Sequence, residues 1–251
     1  MGRSADAQGG VRVAMWSGPR NISTALMRSW DARGDCAVVD EPLYAHYLMA
    51  TGHPHPGADA ILEHHETDFD RVIAALLGPI PNGASVFYQK HMAHHVLPDM
   101  DMAWIRDLNS AFLIRDPSAM IASLAKVLPN PAIEETGLPQ QVRLLEWLRD
   151  ETGETPPVFD SRDVLMDPAR ALPAMCQSLG VSFTERMLSW APGRRATDGV
   201  WAEHWYANVE KSTGFAPWAP PRDEPPARLR SLVRQCEALY QRLYESRMTF
   251  D

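Results

Sequence analysis

Residues 17–24, Ser-Gly-Pro-Arg-Asn-Ile-Ser-Thr, combine a turn, a guanidinium and a pair of adjacent hydroxyls. Placed between a strand and a helix, such a segment is a cradle for an oxyanion. The first amides of a helix have no partner inside it, and the helix dipole favours negative charge there. Ser23 and Thr24 add hydroxyl donors, and Arg20 adds a permanent charge that can grip an oxyanion with two prongs. The loop is not that of a nucleotide triphosphatase, which needs Gly-Lys before its Ser or Thr. No lysine precedes Ser23.

Other segments carry complementary chemistry. Arg115-Asp116-Pro117 follows an apolar run, and Ser123 lies eight residues after the arginine. Pro117 suits a first helical turn, which puts Ser123 almost two turns along. Gly193-Arg194-Arg195 opens a basic turn that runs on to Trp201. Lys90 and His91 end a third apolar run, and Glu41 follows a second one. A cation beside a site of this kind neutralises developing charge. A carboxylate or an imidazole there can take a proton. His91, His94 and His95 tempt a metal reading, but no spacing here matches a zinc motif such as His-Glu-x-x-His. No metal site is expected.

The elements that must position these groups are legible in the apolar pattern. Strands are predicted at 11–16, 36–39, 85–89, 111–114 and 157–159. Helices are predicted at 23–33, 59–77, 118–127, 140–149, 169–179 and 227–247, with loops over 51–57 and 128–139. In the last helix Leu229, Leu232, Val233, Cys236, Leu239, Tyr240 and Leu243 make one apolar stripe. Alternating strands and helices predict an α/β fold with three layers, a mainly parallel sheet of about five strands flanked by helices. Ligands of such sheets bind at the carboxyl ends of the strands, where each of these motifs falls.

The chain has 251 residues, 45% hydrophobic and 22% charged, which fits a single α/β domain over 11–251 after a loose tail at 1–10. A net charge of −8 argues against general nucleic-acid binding. The three scattered cysteines form no disulfide or metal framework and suit a reducing compartment. No stretch reads as membrane-spanning and the start lacks a signal-peptide pattern, so a cytoplasmic location is the default expectation.

Taken together and in order over residues 11–210, the motifs resemble those of sulfotransferases that use 3′-phosphoadenosine 5′-phosphosulfate (PAPS). The loop is similar to the family's Pro-Arg/Lys-Ser-Gly-Ser/Thr-Thr, with Asn21-Ile22 in place of Ser-Gly. The resemblance implies a P-loop-like fold. It implies that Arg20, Asn21, Ile22, Ser23 and Thr24 hold the 5′-phosphosulfate. It implies that Arg115 and Ser123 hold the 3′-phosphate, joined by Arg194 and Arg195 of a segment similar to the closing loop Arg-Lys-Gly-x-x-Gly-Asp-Trp. Residues 158–168 look like the family's Tyr-Glu-Asp-Leu segment near the adenine, with Ser161 in place of its tyrosine. Ala25 stands where an aromatic residue is usual. By the same resemblance Lys90 assists the leaving phosphate, and either Glu41 or His91 is the base that takes the proton of a small hydroxyl or amine acceptor. Two other readings compete: a P-loop kinase-like phosphotransferase using ATP and magnesium, and a nucleotide-binding module of the same fold without chemistry.

Overall fold

A computed structural model describes residues 10–250. The expected tail therefore lies, apart from Gly10, outside the described residues. The strands are β1 (Val11–Ser17), β2 (Cys36–Asp40), β3 (Val86–Met92), β4 (Asn109–Ile114) and β5 (Val158–Asp160). The helices are α1 (Ser23–Asp31), α2 (Tyr44–Thr51), α3 (Ala58–His64), α4 (Phe69–Leu77), α5 (Pro117–Leu124), α6 (Leu138–Thr152), α7 (Ser161–Met166), α8 (Pro168–Ser178), α9 (Ala202–Trp205) and α10 (Arg230–Tyr244).

All pairings within the sheet are parallel, in the order β2-β3-β1-β4-β5. The alternation of side chains along a strand divides the core in two. From β1, Ala14 and Trp16 join one layer with α4, α5, α6 and α10. Val13 and Met15 join the other with α1, α7 and α8. The predicted three-layer α/β fold is what the chain adopts. The direction of chain crossover reverses at β1, which lies between β3 and β4. Ligands of doubly wound sheets bind in the crevice that such a reversal leaves beyond the strand ends.

A third apolar cluster caps the carboxyl end of the sheet. Tyr44, Ala45 and Leu48 of α2, Ile61 of α3, and Trp201, Ala202 and Tyr206 around α9 meet there. Helices α2 and α9 are not among the predicted elements. Both are short, and they are stabilised by packing on one another rather than by a long amphipathic repeat. The predicted helix at 59–77 is two helices. His65 leaves the helical region at φ −124°, and Asp68 starts the second by accepting from the Arg71 amide at 2.9 Å.

Candidate active site

The site is built where β1, β2, β3 and β4 end. After β1 the chain turns through Arg20, which takes a positive φ of 56°. Ile22 stays at φ −86° and precedes α1 with no side-chain cap. The isoleucine is thus spared the left-handed conformation it resists, and the arginine bears the strain. The first backbone bond of α1 runs from the Leu26 amide to the Ile22 carbonyl. The amides of Ser23, Thr24 and Ala25 therefore precede the helical ladder and keep their donors for an anion. Asn21 holds the turn: its Oδ1 accepts from the Ile22 amide at 2.8 Å, and its Nδ2 donates to the Leu113 carbonyl at 3.0 Å.

At the end of β4, Arg115 reaches back and donates to the Arg20 carbonyl. Arg20 in turn donates through Nε to the Ser123 hydroxyl on α5 at 3.0 Å. Asp116 serves as the cap of α5, accepting from the Ala119 amide at 2.8 Å. Burial lowers the pKa of both guanidiniums, and for Arg115 the charge of Arg20 adds to that. Arginine remains charged at any ordinary pH. The arrangement thus stores like charge that an anion would relieve.

At the ends of β2 and β3, register sets the chemistry. Asp40 lies opposite Lys90 across the β2–β3 pair. The Lys90 ammonium donates to Asp40 Oδ1 at 2.7 Å, to Glu41 Oε1 at 2.6 Å and to the Tyr206 hydroxyl at 2.9 Å. Tyr206 donates in turn to Asp40 Oδ2 at 2.7 Å. Burial opposes charge on Lys90, but Asp40 and Glu41 outweigh it and raise its pKa well above the usual value. Burial also raises the pKa of Glu41, with Lys90 opposing and Asp40 reinforcing. Glu41 sits at φ 44°, a strained conformation that turns its carboxylate off the end of β2.

One cavity of about 440 Å³ gathers these groups. Arg20, Asn21, Ile22, Ser23, Thr24, Arg115, Ser123, Glu41 and Lys90 all line it. Tyr44, Tyr47, His53, His55, His94, His95 and Glu135 form its other wall, and Leu165 and Phe215 add apolar surface. Among the described residues no three metal-binding side chains come together as a metal site.

Four expected site residues are not brought to the cavity. His91 follows Lys90 on the strand, so it faces the opposite side of the sheet. It is paired in register with Trp16, stacks on that indole at 4.2 Å, and lies near Trp104. Burial there drives its pKa down to about 3, and it makes its contact at 3.2 Å with Gln89. Ser161 is buried at the first turn of α7, and it is Leu165, one turn later, that reaches the cavity. Arg194 is exposed, and Arg195 is drawn to the carbonyls of Gly193 and Ala191 and to Asp31. Their segment is pinned by Asp198, which accepts from the Arg28 guanidinium of α1 at 2.7 Å and from the Arg195 amide at 2.8 Å.

Two groups of the site, Asp40 and Tyr206, are not among the residues expected from sequence. Asp40 directly precedes Glu41, but nothing in the pattern separates a strand-end ligand of lysine from a solvated acid. Tyr206 reads in sequence as core more often than acceptor pocket, at the start of a stretch that could line that pocket.

A family model described as "Sulfotransferase domain" matches residues 11–244. The chain belongs to the sulfotransferase family. Solved sulfotransferase structures share the fold. The sulfotransferase domain from the curacin biosynthetic pathway superposes with a TM-score of 0.52 at 16% identity, covering 92% of this chain and 98% of that one. The sulfotransferase from Alicyclobacillus acidocaldarius does so with a TM-score of 0.51 at 12% identity, covering 95% and 97%. In sequence, this sulfotransferase-family chain is 36% identical over 205 residues to branched-chain-amino-acid aminotransferase-like protein 1 of Arabidopsis thaliana. It is 33% identical over 229 residues to protein 2 of the same name and plant. Those matches take in 81% and 91% of this chain, but only 36% and 40% of the plant proteins. The chain thus spans well under half the length of these relatives. No helix among the described residues is long and apolar enough to cross a membrane.

Proposed function

We propose that this family member transfers the sulfuryl group of PAPS to a hydroxyl or amine of a small-molecule acceptor. The observation that carries the reading is the shared cavity. It places Arg20, Arg115 and Ser123 in one wall and the Glu41–Lys90 pair in the same enclosure. PAPS, when bound, supplies a sulfuryl group already activated on a phosphate. The residues present fit such a ligand, because two guanidiniums, the uncapped start of α1 and hydroxyls of Ser23, Thr24 and Ser123 converge on one cavity.

The work of the chain is then positioning and charge stabilisation, as in phosphoryl transfer. Arg20 and the amides of Ser23 and Thr24 would hold the 5′ end, with Arg115 and Ser123 at the 3′-phosphate. Lys90 offsets charge on the leaving oxygen. Glu41 accepts the acceptor's proton, and its raised pKa strengthens it as a base. Between the two candidate bases, geometry favours Glu41, since His91 lies behind the sheet. The acceptor would sit between Glu41 and the wall of Tyr44, Tyr47 and His94. Arg194 and Arg195 would reach the 3′-phosphate only by a swing of their loop. The plant relatives' name speaks of an aminotransferase, and that name describes proteins of which this chain matches the lesser part. A cytoplasmic setting accords with Cys36 and Cys176 as free thiols that burial pushes up to about 12 and about 11, which keeps them unreactive.

The test is ligand-dependent thermal stability, since a ligand that binds only the folded state raises the melting temperature. Adenosine 3′,5′-bisphosphate should stabilise the wild type and fail to stabilise Arg115→Ala. Stabilisation by ATP with magnesium alone, indifferent to Arg115→Ala, would overturn the reading. Transfer of labelled sulfate from PAPS to a panel of alcohols, phenols and amines then identifies the acceptor.

A further inference from the structure

The proton acceptor of a transferase must be basic enough to act yet ionised at working pH. Glu41 meets that demand through neighbours rather than alone. The groups facing it are Lys90 from β3, Asp40 from β2, Tyr44 from α2 and Tyr206 from the segment after α9. Asp40 and Lys90 are each about 1% exposed at the side chain, and Glu41 is 11% exposed. One ammonium thus serves two carboxylates in a nearly dry site. Where it rests between them decides how much of its charge Glu41 feels.

We propose that Tyr206 is a positioning residue: its hydroxyl, bonded to both Lys90 and Asp40, keeps the lysine shared with Glu41 and thereby sets how readily Glu41 takes a proton. The geometry is specific. The hydroxyl accepts from Lys90 Nζ at 2.9 Å while it donates to Asp40 Oδ2 at 2.7 Å. Lys90 uses the other oxygen, Oδ1, so Tyr206 and lysine divide the Asp40 carboxylate between them. Two further donors come from the same stretch of chain. The Trp201 indole nitrogen reaches the Tyr206 hydroxyl at 3.3 Å, and the Gly199 amide lies 3.5 Å from Asp40 Oδ2. With the tyrosine donor gone, Asp40 would satisfy itself by drawing Lys90 closer and away from Glu41. With the Asp40 charge gone, Lys90 would belong to Glu41 alone.

The two removals act in opposite directions. Tyr206→Phe should raise the protonation midpoint of Glu41, and Asp40→Asn should lower it, each by about one pH unit for the loss of one charge-assisted bond. The measurement is carbon NMR of the full chain labelled at glutamate carboxyl carbons. The Glu41 signal is assigned by its disappearance in Glu41→Gln, with no donor or acceptor present. The proposal rests on the sulfuryl-transfer reading only for its consequence in turnover. There, Tyr206→Phe should shift the acid limb of the pH profile upward by about one unit, which at pH below both midpoints reads as a kcat about tenfold lower with KM nearly unchanged. A Glu41 midpoint that stays put in Tyr206→Phe, or moves the same way in both variants, overturns the proposal. Should Tyr206→Phe fail to fold, Asp40→Asn decides: a lowered midpoint supports the sharing of Lys90, and an unmoved or raised one overturns it. A wild type that transfers no labelled sulfate would sink the transfer reading instead, and the titration would stand apart from that result.

Discussion

Arg115 donates its guanidinium hydrogen to the backbone carbonyl of Arg20, 95 residues earlier in the chain. The two segments proposed to hold the cofactor's phosphates are therefore one wall, closed by the bond from Arg20 to Ser123. Residues that share a hydrogen-bond network should not act independently. Arg20→Ala and Ser123→Ala, measured singly and together for adenosine 3′,5′-bisphosphate binding by calorimetry, should show a coupling of about 0.5–1.5 kcal/mol. Strict additivity of the two losses would show that the contact does nothing for the ligand.

How far this wall is legible in sequence depends on the kind of contact. Pro19-Arg20 before Ser23-Thr24 marks the loop because helix starts and anions go together whatever the fold. The pairing of Arg115 with Ser123 is implied by the family resemblance, with Ser123 almost two turns along the helix that Pro117 opens. The parallel pairing of the sheet follows from the alternation of elements, but its order β2-β3-β1-β4-β5 does not. His91 shows where such reading stops. It directly follows Lys90, and the pleat sends the two to opposite faces, so the lysine meets Asp40 while the histidine meets Trp16. Only the register of β3 against β1 and β2 decides which faces the cavity. Tyr206 is less legible still. Its role comes from a hydroxyl 116 residues from its lysine, and no local pattern encodes that. The same holds for α2 and α9, whose stability lies in the cluster they share.

The pair Arg28–Asp198 joins α1 to the segment that carries Arg194 and Arg195. The side chains are 1% and 0% exposed, with nitrogen and oxygen 2.6 Å apart. Removing one partner of a buried pair strands the other charge, at a cost of about 3–5 kcal/mol. Asp198→Ala should therefore lower stability by that order, as read by urea unfolding. It should also loosen the segment, since the Arg195 amide loses its acceptor. Loss of under about 1 kcal/mol would mean that solvent reaches the site and relieves Arg28.

Gly18 of the proposed anion loop packs against the turn before α6. A methyl group added there would come 2.5 Å from the Thr136 carbonyl oxygen. That neighbour is backbone and cannot swing aside. Gly18→Ala should displace the loop and weaken bisphosphate binding about tenfold or more, while Gly153→Ala, which is strained by its φ of 70° at the far end of α6 but meets no atom nearby, should cost stability and leave binding intact. Equal binding by wild type and Gly18→Ala would show that the loop tolerates the shift.

Buried imidazoles give stability a pH dependence of definite sign. Buried His91 and half-buried His94 are held neutral, with pKa lowered to about 3, and buried His95 is lowered well below the usual value. In the unfolded chain each titrates near 6.5. Their contribution is fully present above about pH 6.5, and it is lost as pH falls from there toward about 3, because the unfolded state gains protons first. Melting temperature should thus drop between about pH 6.5 and 4.5, before most carboxylates titrate. His91→Phe keeps a ring stacked on Trp16 and removes one titrating group, so its curve should be flatter in that window. A wild-type melting temperature that is level across it would count against neutral burial of these residues.

Glu41 carries the heaviest chemical expectation. Glu41→Gln keeps the size of the side chain and removes its basicity. It should reduce the rate of sulfate transfer by about 10²–10⁴-fold, the usual worth of a general base. Binding of adenosine 3′,5′-bisphosphate should persist, because the proposed anion wall is built from Arg20 after β1, Arg115 after β4 and Ser123 on α5, not from Glu41. The pH profile of the wild type follows from the same group. A base must be unprotonated to act, so the rate should fall on the acid side of the Glu41 midpoint. That midpoint lies above the ordinary carboxylate value, since burial raises it more than Lys90 lowers it. His91→Phe should leave the acid limb where it is, for the imidazole lies behind the sheet with a pKa of about 3. An acid limb that vanishes in His91→Phe and survives in Glu41→Gln would reassign the base, and with it the face of β3 that looks into the site.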